Sequence, residues 1–403
     1  MVKKRIFIST YYMEIGGVER SLIGLLNSID YQSYEVDLFL HRHSGAFMNL
    51  IPSSVNLLPE NNNYATYGRP VKHLIKEGFW CIGIARTIAA LRTKIFQKKN
   101  QSTDDSSSLT YSLKYTEPFL PSLKAYGVYD LAISFLMPHN IVLNKVDAKK
   151  KLAWIHTDYS KIDLNKKIEL PIWRKFDYVV SISESVTKTF VSVMPELEQK
   201  IIEIENILSP EMVRKQAQEA NVEKELRKEV SEIIFCSVGR LSAQKNFDQA
   251  VYICKYLVEM GLNIKWYVIG DGPEKTTIHN NIIKAEMHSH FFLLGEKVNP
   301  YPYMQACDFY IQPSKYEGKA VTVREAQILQ KLVIITRFST SASQLRENFD
   351  GIIVSMDNEK AANEISEFIF DIAKQKDLLG NMKNTDYSNQ RVVEKLYALI
   401  NEN

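Results

Sequence analysis

The sequence predicts an α/β protein made of two successive doubly wound parallel sheets. Short β-branched or aromatic runs alternate with longer helical patterns almost throughout, as βα units on a parallel sheet require. The chain has 403 residues, more than one hydrophobic core usually serves, so two or three domains are expected. Near the middle, the densely charged stretch Pro210 to Glu232 interrupts the alternation. It reads as a solvated linker or helix between domains.

The elements follow in order. Met1 to Arg5 is basic like a signal peptide, but the apolar run ends after Ile8 and Glu14 follows. That is too short for a secretory segment, so Arg5–Ser9 is read as the first strand. Further strands are expected at Glu35–Leu40, Asp130–Ser134, Lys151–Ile155, Tyr178–Ile182 and Ile201–Ile204. A long helical pattern rich in Lys and Arg runs from Arg69 to Asn100. The polar tract Gln101–Ser108 after it reads as a loop that cannot pack. Beyond the charged stretch, strands are expected at Ile233–Val238, Ile264–Ile269, Phe291–Leu294, Phe309–Gln312, Leu332–Thr336 and Ile352–Val354. Helices fall between them, and two more close the chain. Ligands in such sheets bind at the strands' carboxyl ends, so the cleft between the domains is the expected site.

Composition narrows the function. Hydrophobic residues make up 45% and charged residues 24%, which excludes a disordered chain, a collagen-like fibre and an integral membrane bundle. Lys and Arg number 50 against 47 Asp and Glu, so no global field attracts nucleic acid. Cys81, Cys236, Cys254 and Cys307 are far apart, with no CxxC pair and no His at metal-ligand spacing. They are expected to be buried, reduced thiols of an intracellular protein.

Five stretches carry candidate chemistry. Gly16-Gly17 follows the first strand and opens a helix, where glycine admits a ligand and a helix N-terminus favours an anion; a plain tight turn fits equally well. Arg240 and Lys245 follow the first strand of the second half, placed to clamp a diphosphate. Gly270-Asp-Gly272-Pro273 follows the next strand, starts a helix at Pro273 and offers a backbone surface to a nucleotide base. Glu317 and Glu325 have seven residues between them, the first before a helix and the second about two turns inside it. Both can face one cleft, and the NH groups of Gly318, Lys319, Ala320 and Val321 are expected to be open to phosphate. His156 ends a buried strand, where structural and catalytic roles are evenly matched.

Together these stretches resemble the GT-B glycosyltransferases, and specifically the large retaining family 4. The resemblance runs in order through Gly16-Gly17, His156, Ser183-Glu184, Val238-Gly-Arg-Leu with Lys245, Gly270-Asp-Gly-Pro273 and Glu317 with Glu325. It implies an acceptor-binding Rossmann-like domain over residues 1–208 and a nucleotide-sugar-binding one over 209–385. Residues 386–403 would form a helix crossing back to the first domain. It implies that Arg240 and Lys245 hold the donor diphosphate, Glu317 contacts the donor sugar, Glu325 binds the ribose hydroxyls and His156 lies near the transferred sugar. Lys319 replaces an apolar residue common in the family, Gln330 stands where Gly is frequent, and Gln344 where a Glu usually opens the next helix.

The implied activity is retaining transfer of a hexosyl group from a nucleotide-diphosphate sugar, a UDP-sugar by expectation. The implied acceptor is a saccharide or a polyprenyl-linked glycan of surface or capsular polysaccharide synthesis. No cofactor and no metal is expected, because fixed cations and helix NH groups neutralise the leaving diphosphate. No Asp-x-Asp metal anchor is found; Asp104-Asp105 lies in the serine-rich tract. Two alternatives stay open: a nucleotide-sugar epimerase of the same shape, and a catalytically silent subunit of a membrane glycan complex. The expected location is the cytoplasm. Pro70–Lys99, with seven Lys and Arg among aromatic and aliphatic residues, is read either as a helix on an anionic inner-membrane surface or as an ordinary packed helix.

Overall fold

A computed structural model describes residues 2–100, 106–157, 159, 162, 165–226, 232–317 and 320–402. Two compact units divide the chain: Met1–Ile207 with Gln390–Asn403, and Leu208–Asn389.

The first unit carries strands β1 (Lys4–Thr10), β2 (Tyr34–Leu40), β3 (Asn56–Leu57), β4 (Val128–Ser134), β5 (Asp147–Ile155), β6 (Tyr178–Ser181) and β7 (Ile201–Glu203). They form one parallel sheet in the order β3-β2-β1-β4-β5-β6-β7. The helices are α1 (Gly17–Ser28), α2 (Val71–Lys76), α3 (Trp80–Asn100), α4 (Ser106–Thr116), α5 (His139–Lys145), α6 (Lys166–Trp173) and α7 (Glu184–Val193). Ile6, Phe7 and Ile8 are buried alike, because a parallel sheet covered on both faces needs continuous apolar runs rather than alternation.

The second unit opens with α8 (Pro210–Ala217) and α9 (Glu223–Leu226), followed by β8 (Ile233–Val238), α10 (Phe247–Glu259), β9 (Ile264–Ile269), α11 (Lys275–Lys284) and β10 (Phe291–Gly295). Then come α12 (Tyr301–Ala306), β11 (Phe309–Gln312), α13 (Val321–Ile328), β12 (Leu332–Thr336), β13 (Ile352–Val354), α14 (Asn358–Phe370) and α15 (Ile372–Lys383). Its sheet is also parallel, in the order β10-β9-β8-β11-β12-β13. Two apolar clusters cover its faces, one built on Phe235, Trp266 and Ile334, the other on Cys236, Tyr310 and Val333. The last helix, α16 (Val393–Asn401), belongs to the first unit, where Tyr397 stacks on Tyr34 at 4.3 Å between ring centroids.

Several expectations change. Of the two readings of Pro210–Glu232, helix holds in its described part and solvated linker does not. Ser209 caps α8 by accepting from the Met212 N–H at 3.3 Å, and Val213, Ala217, Val222 and Leu226 enter a core cluster of the second unit. The Arg69–Asn100 pattern is two helices, because Gly78 takes φ +89° between α2 and α3. Of the Gln101–Ser108 tract, 101–105, with Asp104-Asp105, lies outside the described residues, while Ser106 onward opens α4. Three helices rather than two follow β13. The helix expected at Pro273 starts at Lys275, and Cys81 is exposed, whereas the other three cysteines are buried.

Candidate functional site

In each sheet the strand order reverses once, between β1 and β4 and between β8 and β11. Loops leaving neighbouring strands at such a switch point diverge and open a crevice at the carboxyl ends. In the second unit this brings the segment after β8 beside the segment after β11. Lys245 and Glu317 meet there.

Lys245 Nζ donates to Glu317 Oε1 at 2.5 Å, with the two side chains only 16% and 7% exposed. The same oxygen accepts from Ser314 Oγ at 2.6 Å and Gln312 Nε2 at 3.3 Å. Gln244 Nε2 reaches Oε2 at 3.3 Å. Thr340 Oγ1 holds the Glu317 carbonyl at 2.6 Å. A buried carboxylate needs a partner charge and full hydrogen bonding, and this one has both. Arg240 is exposed and makes no ion pair among the described residues, which leaves a cation at the carboxyl end of β8.

Gly270 and Gly272 have a structural reason. At φ +148° and +159°, Cβ atoms there would fall 2.0 Å from the Gly239 carbonyl oxygen and 2.4 Å from that of Leu241. The loop is laid directly on the loop carrying Arg240: Leu241 N–H donates to the Asp271 carbonyl, and Glu274 N–H donates to that of Leu241. Only glycine permits this contact.

Glu325 is fully buried inside α13, where the Tyr301 hydroxyl donates to Oε1 at 2.7 Å. A polar thread runs from Glu317 toward Glu325. Gln312 donates to Glu317, and the Tyr310 hydroxyl donates to Gln312 Oε1 at 2.7 Å. The Tyr310 phenol is pushed far up, first by burial and in part by the Glu325 carboxylate. The NH groups before α13 differ from the expectation: Ala320 is buried and its N–H donates to Gln344 Oε1 at 2.7 Å, so it is not open to phosphate. Val321 begins α13, and Gly318 and Lys319 lie outside the described residues.

In the first unit, His156 follows β5 directly. Its Nε2 lies 2.9 Å from the Phe135 carbonyl, which can only accept, so Nε2 carries the proton and Nδ1 is left with a lone pair. Burial drives its pKa down to about 3. Two histidines that the sequence reading overlooked share this environment. His41 Nε2 sits 3.2 Å from Ser9 Oγ, His139 Nδ1 sits 2.8 Å from Ser134 Oγ, and burial holds each at about 3. Gly16 is the N-cap of α1, and a Cβ there would meet the Glu19 carboxyl at 2.2 Å. Burial raises the pKa of that carboxyl. Gly17 is open, with nothing within 4 Å of a Cβ position. Ser183 caps α7, and Glu184 pairs with Lys188 on the surface.

Sequence reasoning also missed Gln244, Gln312, Ser314, Thr340 and Tyr301. Gln312 left a signal: a polar residue closing the otherwise apolar strand Phe309–Gln312 must have a partner where it ends.

Residues 218–385 match the family model described as "Glycosyl transferases group 1". An uncharacterized glycosyltransferase of Methanocaldococcus jannaschii, MJ1059, is 25% identical over 245 residues, 58% of this chain and 60% of that protein. The N-acetylgalactosamine-N,N'-diacetylbacillosaminyl-diphospho-undecaprenol 4-alpha-N-acetylgalactosaminyltransferase of Campylobacter jejuni is 30% identical over 126 residues, 31% of this chain and 34% of that protein. The matches thus span 60% and about a third of these relatives' lengths. The crystal structure of Anabaena Alr3699/HepE in complex with UDP and glucose superposes with a TM-score of 0.68 at 15% identity, covering 98% of this chain and 100% of that one. The fold is GT-B: two Rossmann-like units with parallel sheets of seven and six strands.

Proposed function

We propose that the chain is a retaining glycosyltransferase of the family 4 type. It moves a hexosyl group from a nucleotide-diphosphate sugar, with UDP as the expected nucleotide, to a saccharide on a polyprenyl-linked intermediate of surface or capsular polysaccharide synthesis. The observation that carries the proposal is the buried Glu317–Lys245 pair beside the exposed Arg240, at the switch point of the second sheet. The match of residues 218–385 to the glycosyl transferase model supports it.

In the reaction, the C1–O bond to the diphosphate breaks and its electron pair leaves with the nucleotide. The acceptor oxygen bonds C1 on the same face, and the acceptor proton passes to the departing phosphate. Arg240 and Lys245 neutralise the charge growing on the diphosphate, the kind of electrostatic term that dominates such catalysis. Glu317 faces the positive charge spreading over C1 and the ring oxygen. Glu325 and the Gly270–Gly272 loop serve the nucleoside. In the first unit, His156 stays neutral and offers Nδ1 as an acceptor to a sugar hydroxyl.

The test is a panel of nucleotide sugars assayed for hydrolysis and for transfer to a polyprenyl-diphosphate-linked sugar, with the product's anomeric configuration read by proton NMR. Retained configuration and activity in excess EDTA are expected. An inverted product or a strict Mg²⁺ or Mn²⁺ requirement rejects the proposal.

A further inference from the structure

The geometry points to α3 as a membrane-surface helix, its outward stripe bedded in the headgroup region of an anionic bilayer. The helix packs the wrong way round for a purely structural element. Its buried face consists mainly of small residues, Gly83, Ala85, Ala89 and Thr93, with Ile82. Its large apolar residues face outward: Trp80, Ile84, Ile88, Leu91 and Ile95 are 41–62% exposed. Their spacing of four, four, three and four residues makes one continuous stripe about 80° wide at 100° per residue. An exposed, contiguous apolar stripe of this kind marks an interaction surface.

The charges select the partner. Arg92 and Lys99 flank the stripe on one side and Lys94 and Lys98 on the other, all exposed, and the 21 residues of α3 include no Asp or Glu. An apolar stripe bordered by cations fits acyl chains below anionic headgroups. It does not fit a second copy of itself, whose α3 would present the same cations. Among the described residues no helix is long and apolar enough to cross a membrane, so the helix lies on the surface. This inference is independent of the chemistry of the second unit.

Trp80 provides the readout. The other three tryptophans, Trp154, Trp173 and Trp266, are at most 3% exposed, so a blue shift of fluorescence on adding vesicles reports Trp80. The full chain is mixed with phosphatidylcholine vesicles, with and without phosphatidylglycerol, at low and high salt. Co-sedimentation and a blue shift are expected with the anionic vesicles at low salt. Trp80→Phe should lose the shift and keep most of the binding. Changing Arg92, Lys94, Lys98 and Lys99 to Gln should weaken binding by about 10²-fold or more. Changing Ile88, Leu91 and Ile95 to Ser should abolish the shift while leaving transfer to a short water-soluble acceptor unchanged. No binding at low salt, or binding indifferent to both sets of changes, overturns the inference. So does a dimer, seen by sedimentation velocity, that the Ser variant dissociates.

Discussion

Removing the Lys245 ammonium while keeping its stem, as in Lys245→Met, separates what the Glu317 pair does for stability from what it does for chemistry. The change strands a carboxylate whose side chain is 7% exposed and whose remaining donors, Ser314, Gln312 and Gln244, are neutral. Breaking a buried pair from one side costs about 3–5 kcal/mol. Glu317→Gln is milder, about 1–3 kcal/mol, because Lys245 retains 16% exposure and can turn toward water. The double variant leaves no uncompensated charge, so its cost should fall short of the sum by about 2–3 kcal/mol. Turnover should behave differently, falling by about 10²-fold or more in all three without recovery in the double variant. The assay is urea unfolding followed by fluorine NMR of fluorotryptophan-labelled protein. Trp266 is the only Trp of the second unit, so its resonance reports that unit alone. Additive stability costs would refute the coupling, and wild-type turnover in the double variant would place the chemistry elsewhere.

Three other outcomes follow from single observations. His41, His139 and His156 have folded pKa values near 3 against about 6.5 unfolded, so only the unfolded chain takes up protons between these values. Their contribution to stability is full above about pH 6.5 and is lost toward pH 3 at about 1.4 kcal/mol per pH unit each. Glu169, raised by burial, acts in the opposite sense. The check is therefore the difference between wild type and His139→Gln in urea melts across acid pH, and an unchanged slope would reject it. Gly270→Ala should destabilise the second unit by about 2 kcal/mol or more, since its Cβ would meet the Gly239 carbonyl oxygen; a Trp266 melt like wild type rejects that reading. Gln330 holds φ +54° just past α13, and the Lys331 N–H donates to the Ala326 carbonyl, a helix end that favours glycine. Gln330→Gly should therefore stabilise by up to about 1 kcal/mol in the same melt, and a loss of stability would contradict it.

The parallel strands were readable because each is a short apolar run closed by a polar or glycine turn. From Ile233 to Val354 the expected and observed strands differ only at the end of β10. Strand β3 was not readable, since two residues, Asn56 and Leu57, carry no period. The division of Arg69–Asn100 was missed because an isolated Gly is tolerated within a helical pattern at a cost of about 1 kcal/mol, and only the φ of Gly78 shows the turn. At the candidate site, Lys245, Glu317 and Glu325 stood out by type and position. Their partners did not: Gln244 and Thr340 reach Glu317 through tertiary contacts, and Ser314, three residues before it, bonds it across a turn that carries no period. At Pro210–Glu232 the helix alternative holds, but charge density hid its buried face: Val213 and Ala217, beside Arg214 and Lys215, pack into the core.

The unequal anchoring of the pair says which member is fixed. Glu317 receives four side-chain donors, from Gln244, Lys245, Gln312 and Ser314, and its backbone is tied by Thr340. Two of those donors stand at the end of β11 and are themselves held: Tyr310 and Thr322 donate to Gln312, and Thr336 Oγ1 bonds the Ser314 carbonyl. Lys245 has one charged acceptor at the end of a flexible stem, which lies across Gly239 where a Cβ would come within 3.2 Å of it. Preorganisation of the kind that stabilises a transition state requires groups that do not reorient as charge develops. By that criterion the carboxylate is the preset element, and in the proposed reaction the ammonium would be the member that turns toward the donor phosphate. Gly239, lacking a side chain, leaves the Lys245 stem its path to Glu317.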